Sequence, residues 1–192
     1  MKYFKLMASN VDTQAMLDEI NENSEIWGSS TGRQEKIAVQ RESASIPLRG
    51  LVKSKIGNRK RRDVHESRFT TASKQFPVIV DFLHNIAFEY STELGRAKIV
   101  NLKSGCRVYP HCDRGEYYLA RNRYHLILQS SHGSLLTCAD EEVRMHEREL
   151  WWFDNDQEHS AYNDSNEDRI HLIFDMLADS KASANTAAQV SR

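Results

Sequence analysis

His111 and Asp113 are two residues apart, and on an extended strand alternate side chains share a face. An imidazole and a carboxylate then point the same way, with Cys112 turned from them. His159, in Glu158-His159-Ser160, falls on a later strand-like run. Two histidines and one carboxylate fill half of an octahedron and leave the other half open. That arrangement suits non-haem Fe(II) oxygen chemistry, because a co-substrate and dioxygen can bind side by side. Arg169 follows His159 by ten residues, room for a strand, a turn and a returning strand. A buried guanidinium is a natural bidentate partner for a carboxylate. Arg123-Tyr124-His125 repeats the alternation, and a dicarboxylate would be well held between such groups.

Each part has a plainer reading. A lone His-x-Asp pair is a weak signal, a lone histidine is commonly structural, and a lone arginine commonly makes a surface ion pair of little weight. The ordered combination carries the argument. The same three ligands with zinc would suit a hydrolase or isomerase, although zinc hydrolysis needs no clamp for a dicarboxylate. A ligand-binding sandwich without oxygenase activity is the other alternative. His125 and His171 are open between pocket groups and hydrogen-bonded core residues.

The elements that must position these groups follow from patterning. Short runs rich in β-branched and aromatic residues occupy 97–102, 106–111, 124–129, 134–138, 143–148, 150–154, 158–162 and 169–177. Ser104-Gly105, His132-Gly133 and Asn163-Asp164-Ser165 punctuate them. Many short strands at regular spacing predict a β-sandwich or barrel. Trp151 and Trp152, being adjacent, must face opposite sides of their strand. Upstream, Asn10 is a candidate N-cap, with Asp12 in the first turn of a helix over 11–21. A second helix starts at Pro77 with Ile79, Phe82, Leu83, Ile86 and Phe88 or Tyr90 as its apolar stripe. Both helices are expected to buttress one sheet. Residues 28–36 read as a loop, 45–51 as a short strand, and Gly95 as the end of a connection. A single oxygenase domain over 1–177 is expected, with 1–94 as support and 95–177 as core. The small, polar residues 178–192 are expected to be a mobile tail.

Composition narrows the partners. The 192 residues carry 26 Lys plus Arg against 27 Asp plus Glu, a formal net charge of −1. That excludes a globally basic nucleic-acid binder. The basic run from Lys53 to Arg62 therefore reads as a solvated loop, or as a lid that attracts an anionic substrate. Three cysteines, Cys106, Cys112 and Cys138, lack CxxC spacing, which argues against a disulfide framework and for a reducing cytoplasm. Residues 1–7 are too short and too charged for a leader. No run approaches the roughly 20 apolar residues of a membrane span.

Residues 95–177 resemble the aspartyl/asparaginyl β-hydroxylase family. The match runs through Val108-Tyr109-Pro110-His111, Arg123-Tyr124-His125-Leu126, Cys138-Ala139-Asp140-Glu141 and Leu150-Trp151-Trp152-Phe153-Asp154. It closes with Glu158-His159 and Asp168-Arg169-Ile170-His171-Leu172-Ile173-Phe174-Asp175. The resemblance implies a mainly β fold, the double-stranded β-helix or cupin-like jelly roll. It implies His111, Asp113 and His159 as Fe(II) ligands. It further implies that Arg169 binds the distal carboxylate of 2-oxoglutarate, with Arg123 and His125 assisting. Dioxygen and 2-oxoglutarate are then co-substrates in the hydroxylation of an aliphatic carbon. Two departures stand out. The animal members have glycine where this chain has Asp113, and a co-substrate-binding serine there falls near Val100 here. The implied substrate is a free amino acid or other small molecule, or an Asp/Asn side chain in a peptide. Loops 28–36, 53–68 and 114–122, which carry no motif, are expected to choose between them.

Overall fold

The computed structural model describes residues 1–27, 41–130 and 132–178. Eleven strands run β1 (Phe4–Ala8), β2 (Ser43–Leu51), β3 (Ser67–Phe69), β4 (Leu94–Leu102), β5 (Arg107–His111), β6 (Arg121–Gln129), β7 (Ser134–Cys138), β8 (Glu141–Met145), β9 (Leu150–Phe153), β10 (His159–Tyr162) and β11 (Arg169–Leu177). They form a large sheet in the order β1-β9-β6-β11-β4-β2-β3 and a small one in the order β5-β10-β7-β8. All the pairings are antiparallel. The fold is a mainly β jelly roll with a few supporting helices.

Period-two patterning explains how the large sheet is buried on both faces. On β6, Tyr124, Leu126 and Leu128 belong to one apolar cluster, whereas Ile127 belongs to another. On β11, Ile170, Leu172, Phe174 and Met176 join the first cluster. That cluster lies under α1 (Gln14–Glu22) and α2 (Pro77–Glu89), which contribute Met16, Ile20, Ile79, Leu83 and Ile86. The second cluster, with Phe4, Leu136, Val143, Met145, Trp151 and Phe153, fills the space between the sheets. Trp151 packs there and Trp152 packs on the helix side, the opposed orientation that adjacency requires. The odd-numbered positions of β11 and β6 are thus freed to carry polar groups on the inner face.

The two helices are tied together by a buried carboxylate. Glu19 of α1 accepts from the backbone N–H groups of Val78 at 2.7 Å and Ile79 at 3.2 Å. These are first-turn donors of α2 with no partner in their own helix, and Pro77 supplies the preset φ of the first position.

Several expectations need correction. Of the stripe expected on α2, Phe88 is exposed and Tyr90 lies just past the helix end. Asn10 does not cap α1; it sits at φ 60°, and the residue before the helix is Thr13. Asp12 does serve the helix start, its Oδ1 accepting from the Gln14 N–H at 3.3 Å. Gly95 does not end a connection but lies inside β4. A Cβ there would strike the Tyr117 hydroxyl and the Arg121 side chain. The strand expected at 143–148 is β8, shifted to Glu141–Met145. Sequence reading missed β1, β3 and the one-turn helix α3 (Glu116–Leu119). The loop expected at 28–36 and the tail from 179 onward lie outside the described residues. All three cysteines are free thiols. Among the described residues, no helix is long and apolar enough to cross a membrane.

Candidate functional site

Strand pairing brings the first two histidines together. β5 and β10 are antiparallel neighbours with His111 opposite His159, and the ring centroids are 4.3 Å apart. His111 Nδ1 donates to the Tyr109 carbonyl at 2.8 Å, and His159 Nδ1 donates to the Gln157 carbonyl at 2.9 Å. A carbonyl can only accept, so each Nδ1 carries a proton, and in the neutral ring Nε2 is the atom with the lone pair. Orientation by the other ring nitrogen is the usual arrangement for metal-binding histidines. Burial holds the His159 pKa down at about 4 despite the nearby Asp113 carboxylate, so the ring is a neutral ligand at neutral pH.

Asp113 lies just beyond β5. Its backbone N–H donates to the Asn155 carbonyl at 3.1 Å, which ties it to the segment before His159. Donor atoms of His111, Asp113 and His159 all lie within 4.8 Å of one another. Burial pushes the Asp113 pKa up, but Arg123 first, then His159, His111 and Lys98, outweigh it and hold the group ionised. Oδ2 is already engaged, accepting from Arg123 Nη1 and from Asn155 Nδ2 at 3.3 Å. Oδ1 is left to complete the donor set. Two imidazoles and one carboxylate suit a divalent metal with open positions.

Arg123 joins two acids. Besides Asp113 it donates through Nε to Asp175 Oδ1 at 2.8 Å and through Nη2 to Asp175 Oδ2 at 3.2 Å. The Tyr117 hydroxyl donates to Asp175 Oδ2 at 3.0 Å. Arg123 is thereby fixed from behind, and both acids hold its pKa well above the ordinary value against the opposing effect of burial.

A pocket of about 510 Å³ opens from the two histidines. Lys98, Arg123, His125, Phe153 and Arg169 line it. Arg169 is 6% exposed, and its Nε donates to His171 Nε2 at 3.0 Å. Among the described residues no carboxylate forms an ion pair with it. Burial without a counter-charge lowers its pKa to about 9, so it stays cationic at neutral pH. Burial, then the neighbouring Arg169 charge, pushes the pKa of both His125 and His171 well below the ordinary value. Their Nδ1 atoms are 3.3 Å apart. His171 thus supports Arg169, and His125 lines the pocket.

All six residues singled out from sequence therefore converge on one region. Lys98, Asp175, Asn155 and Tyr117 were missed. The strand period could have exposed two of them. Arg169, His171 and Asp175 occupy odd positions of an otherwise apolar β11, and Lys98 shares its parity with Val100 on β4. Asn155 and Tyr117 act from loop and one-turn-helix positions without a period.

The chain is similar to known proteins in family and in fold. A family model described as aspartyl/asparaginyl β-hydroxylase matches residues 49–179. Among solved structures, a viral collagen prolyl hydroxylase from Paramecium bursaria Chlorella virus-1, in a 2-oxoglutarate complex, is 8% identical with a TM-score of 0.56. The match covers 92% of this chain and 97% of that one. An oxidoreductase of the 2-oxoglutarate-Fe(II) oxygenase family from Burkholderia pseudomallei is 8% identical with a TM-score of 0.50, covering 88% and 92%. At such identity these two speak for the fold alone. No curated protein sequence matches the chain. The family match spans well over half of the 192 residues: the chain belongs to the aspartyl/asparaginyl β-hydroxylase family and is an Fe(II)/2-oxoglutarate-dependent hydroxylase.

Proposed function

We propose that the protein hydroxylates an aliphatic carbon of an amino-acid substrate, free or within a peptide, with residues 1–177 acting as one oxygenase domain. Fe(II) would be held by His111 Nε2, Asp113 Oδ1 and His159 Nε2. 2-Oxoglutarate would lie in the adjoining pocket with its distal carboxylate on Arg169. One observation carries the reading: the three donors converge at a pocket that also presents a buried arginine with no acidic partner among the described residues.

The overall reaction consumes 2-oxoglutarate, dioxygen and a C–H bond and yields succinate, carbon dioxide and the alcohol. The metal, when bound, supplies dioxygen activation coupled to that decarboxylation. The chain supplies the rest. Arg169 fixes one end of the dicarboxylate by a charge-assisted pair in a dry site. Arg123 holds Asp113 Oδ2 and so aims Oδ1. Phe153 and Ile173 line the same pocket with apolar surface and help to exclude water. His125 stays uncharged beside Arg169, which avoids adding a second cation at the buried end.

The test is an anaerobic titration of the Fe(II)-loaded protein with 2-oxoglutarate, following the weak visible charge-transfer band of the chelate. A saturable band is expected. Metal binding without any band, at millimolar 2-oxoglutarate, would overturn the assignment.

A further inference from the structure

Six of the ten residues from Lys53 to Arg62 are basic and none is acidic, in a chain whose formal net charge is only −1. Lys53, Lys55, Arg59, Lys60, Arg61 and Arg62 are all exposed. Arg59 pairs with Glu66 at 3.1 Å, and among the described residues none of the other five forms an ion pair. Asp63, the next acid along the chain, is engaged elsewhere: its Oδ1 accepts from the Glu116 N–H at 3.1 Å. Crowded like charges repel one another and lower stability until an anion answers them.

A block of like charge is ordinarily a solvated, disordered stretch. This one is fastened at several points. The Val52 N–H donates to the Glu66 carbonyl at 2.9 Å and closes its base. Single 3-10 turns at Lys53–Lys55 and Arg61–Asp63 shape it, and Val64 is fully buried at its end. Arg96 Nη2 donates to the Arg61 and Val64 carbonyls at 3.0 and 2.9 Å. Arg62 packs on Gly115 so closely that a Cβ there would lie 2.7 Å from the Arg62 carbonyl oxygen. Gly115 is two residues beyond Asp113, and the residue between them is the exposed Arg114. The basic segment is therefore a fixed rim beside the metal-donor set rather than a lid that closes on it.

The rim also has the texture of a peptide-binding surface. Its cations are spread over ten residues, so they can meet several anionic groups at once, outside the pocket where the chemistry occurs. Beside them, Leu119 is 71% exposed on α3, which packs against the Arg61–Asp63 turn. An apolar side chain among cations suits a polypeptide. Binding of single-stranded nucleic acid draws on exposed aromatic rings for base stacking. The exposed aromatic side chains Phe88, Tyr90 and Tyr162 all lie outside this segment and α3.

We infer that Lys53–Arg62, with Arg114, is a docking surface for an acidic stretch of a polypeptide substrate that flanks the residue presented to the metal. The inference rests on the proposed function and selects, from its two kinds of substrate, the residue within a peptide. Anchoring away from the reacting carbon steers the encounter and raises the effective concentration of the target residue.

The test is fluorescence anisotropy with two rhodamine-labelled peptides of equal length. One alternates Glu with Ser and Gly around a central Asn, and the other has Gln at every Glu. A single-stranded oligonucleotide of matching charge is the third probe. At about 0.01 M salt the Glu peptide is expected to bind at least about tenfold tighter than the Gln peptide. That advantage should shrink at about 0.15 M, where the Debye length falls from about 30 Å to about 8 Å. Combining Lys53→Glu, Lys55→Glu and Lys60→Glu should abolish the advantage and leave the 2-oxoglutarate chelate band unchanged. Equal binding of the two peptides, or an advantage that survives the triple variant, would overturn the inference. Tighter binding of the oligonucleotide than of the Glu peptide would give the rim to nucleic acid and overturn the peptide reading. The Glu peptide should also release more succinate than the Gln peptide at equal concentration, and parity would overturn its role as substrate. Anisotropy needs no iron, so a missing chelate band would refute the proposed function and leave the docking result readable. The salt series uses the unaltered protein and does not depend on how the variant folds.

Discussion

Replacing Arg169 with methionine should weaken 2-oxoglutarate binding and, in the ligand-free protein, strengthen the fold. Burial brings the pKa of the guanidinium down from its ordinary value to about 9, which corresponds to roughly 5 kcal/mol of desolvation as an upper bound. Because the folded value lies below the unfolded one, that cost is fully present at every pH below about 9. It is relieved only as the pH rises from there towards the ordinary arginine value. Methionine removes the charge and keeps most of the volume. The contact with His171 is lost, which returns about 1 kcal/mol. Allowing for relaxation, a net gain of about 1–3 kcal/mol is expected, or roughly 2–10 °C in the melting midpoint of a chain this size. Removing one partner of a buried charge pair costs about 2–5 kcal/mol of binding, so 2-oxoglutarate affinity should fall roughly thirtyfold to several thousandfold. The assay pairs the charge-transfer titration with thermal melts at neutral pH, with and without 2-oxoglutarate. A variant that binds 2-oxoglutarate within threefold of the parent would refute the pairing. One that melts several degrees lower without ligand would refute the charge argument.

Other outcomes follow from the same geometry. Alanine at His111, Asp113 or His159 should remove stoichiometric Fe(II), measured by metal analysis after desalting, while circular dichroism stays unchanged. Asp175→Asn leaves Arg123 half-supported. Breaking such a buried pair costs about 3–5 kcal/mol, to be read in denaturant melts, and turnover should fall along with it. His125 and His171 are both held neutral by burial, their folded pKa values lying well below the unfolded value. The unfolded chain therefore binds more protons, and stability should fall as the pH drops below about 6.5, by about 1.4 kcal/mol per pH unit for each histidine. Chemical denaturation from pH 8 to pH 5 checks this, and a flat profile would contradict it.

The inner strands were legible because their burial is periodic. The run 169–177 is β11 residue for residue, since an apolar strand buried on both faces has sharp ends at Asp168 and Ala178. Edge elements were not legible. β3 is three residues long, and β1 alternates weakly, with Lys5 and Leu6 both exposed. Their strand character comes from the partner rather than from the sequence. The six residues proposed for the site were readable from parity within strands and order along the chain. Asn155 and Tyr117 were not, because each works through a hydrogen bond that only the fold brings within reach. Gly95 was misread for a related reason: the Tyr117 and Arg121 side chains that crowd it come from more than twenty residues downstream.

The order of the large sheet also bears on how the chain reaches this state. β11, the last strand in sequence, lies between β6 and β4, and its register joins Phe174 to Ala97 on one side and to Tyr124 on the other. Until residues 169–177 have been synthesised, β4 and β6 each present an unpaired edge with apolar residues on both flanks, a known route to aggregation. Pairings over such sequence distances fold slowly. The same strand carries Arg169 and Asp175, so closing the sheet and completing the proposed co-substrate pocket are one event. A nascent chain lacking its last strand would lack both a finished barrel and the chemistry.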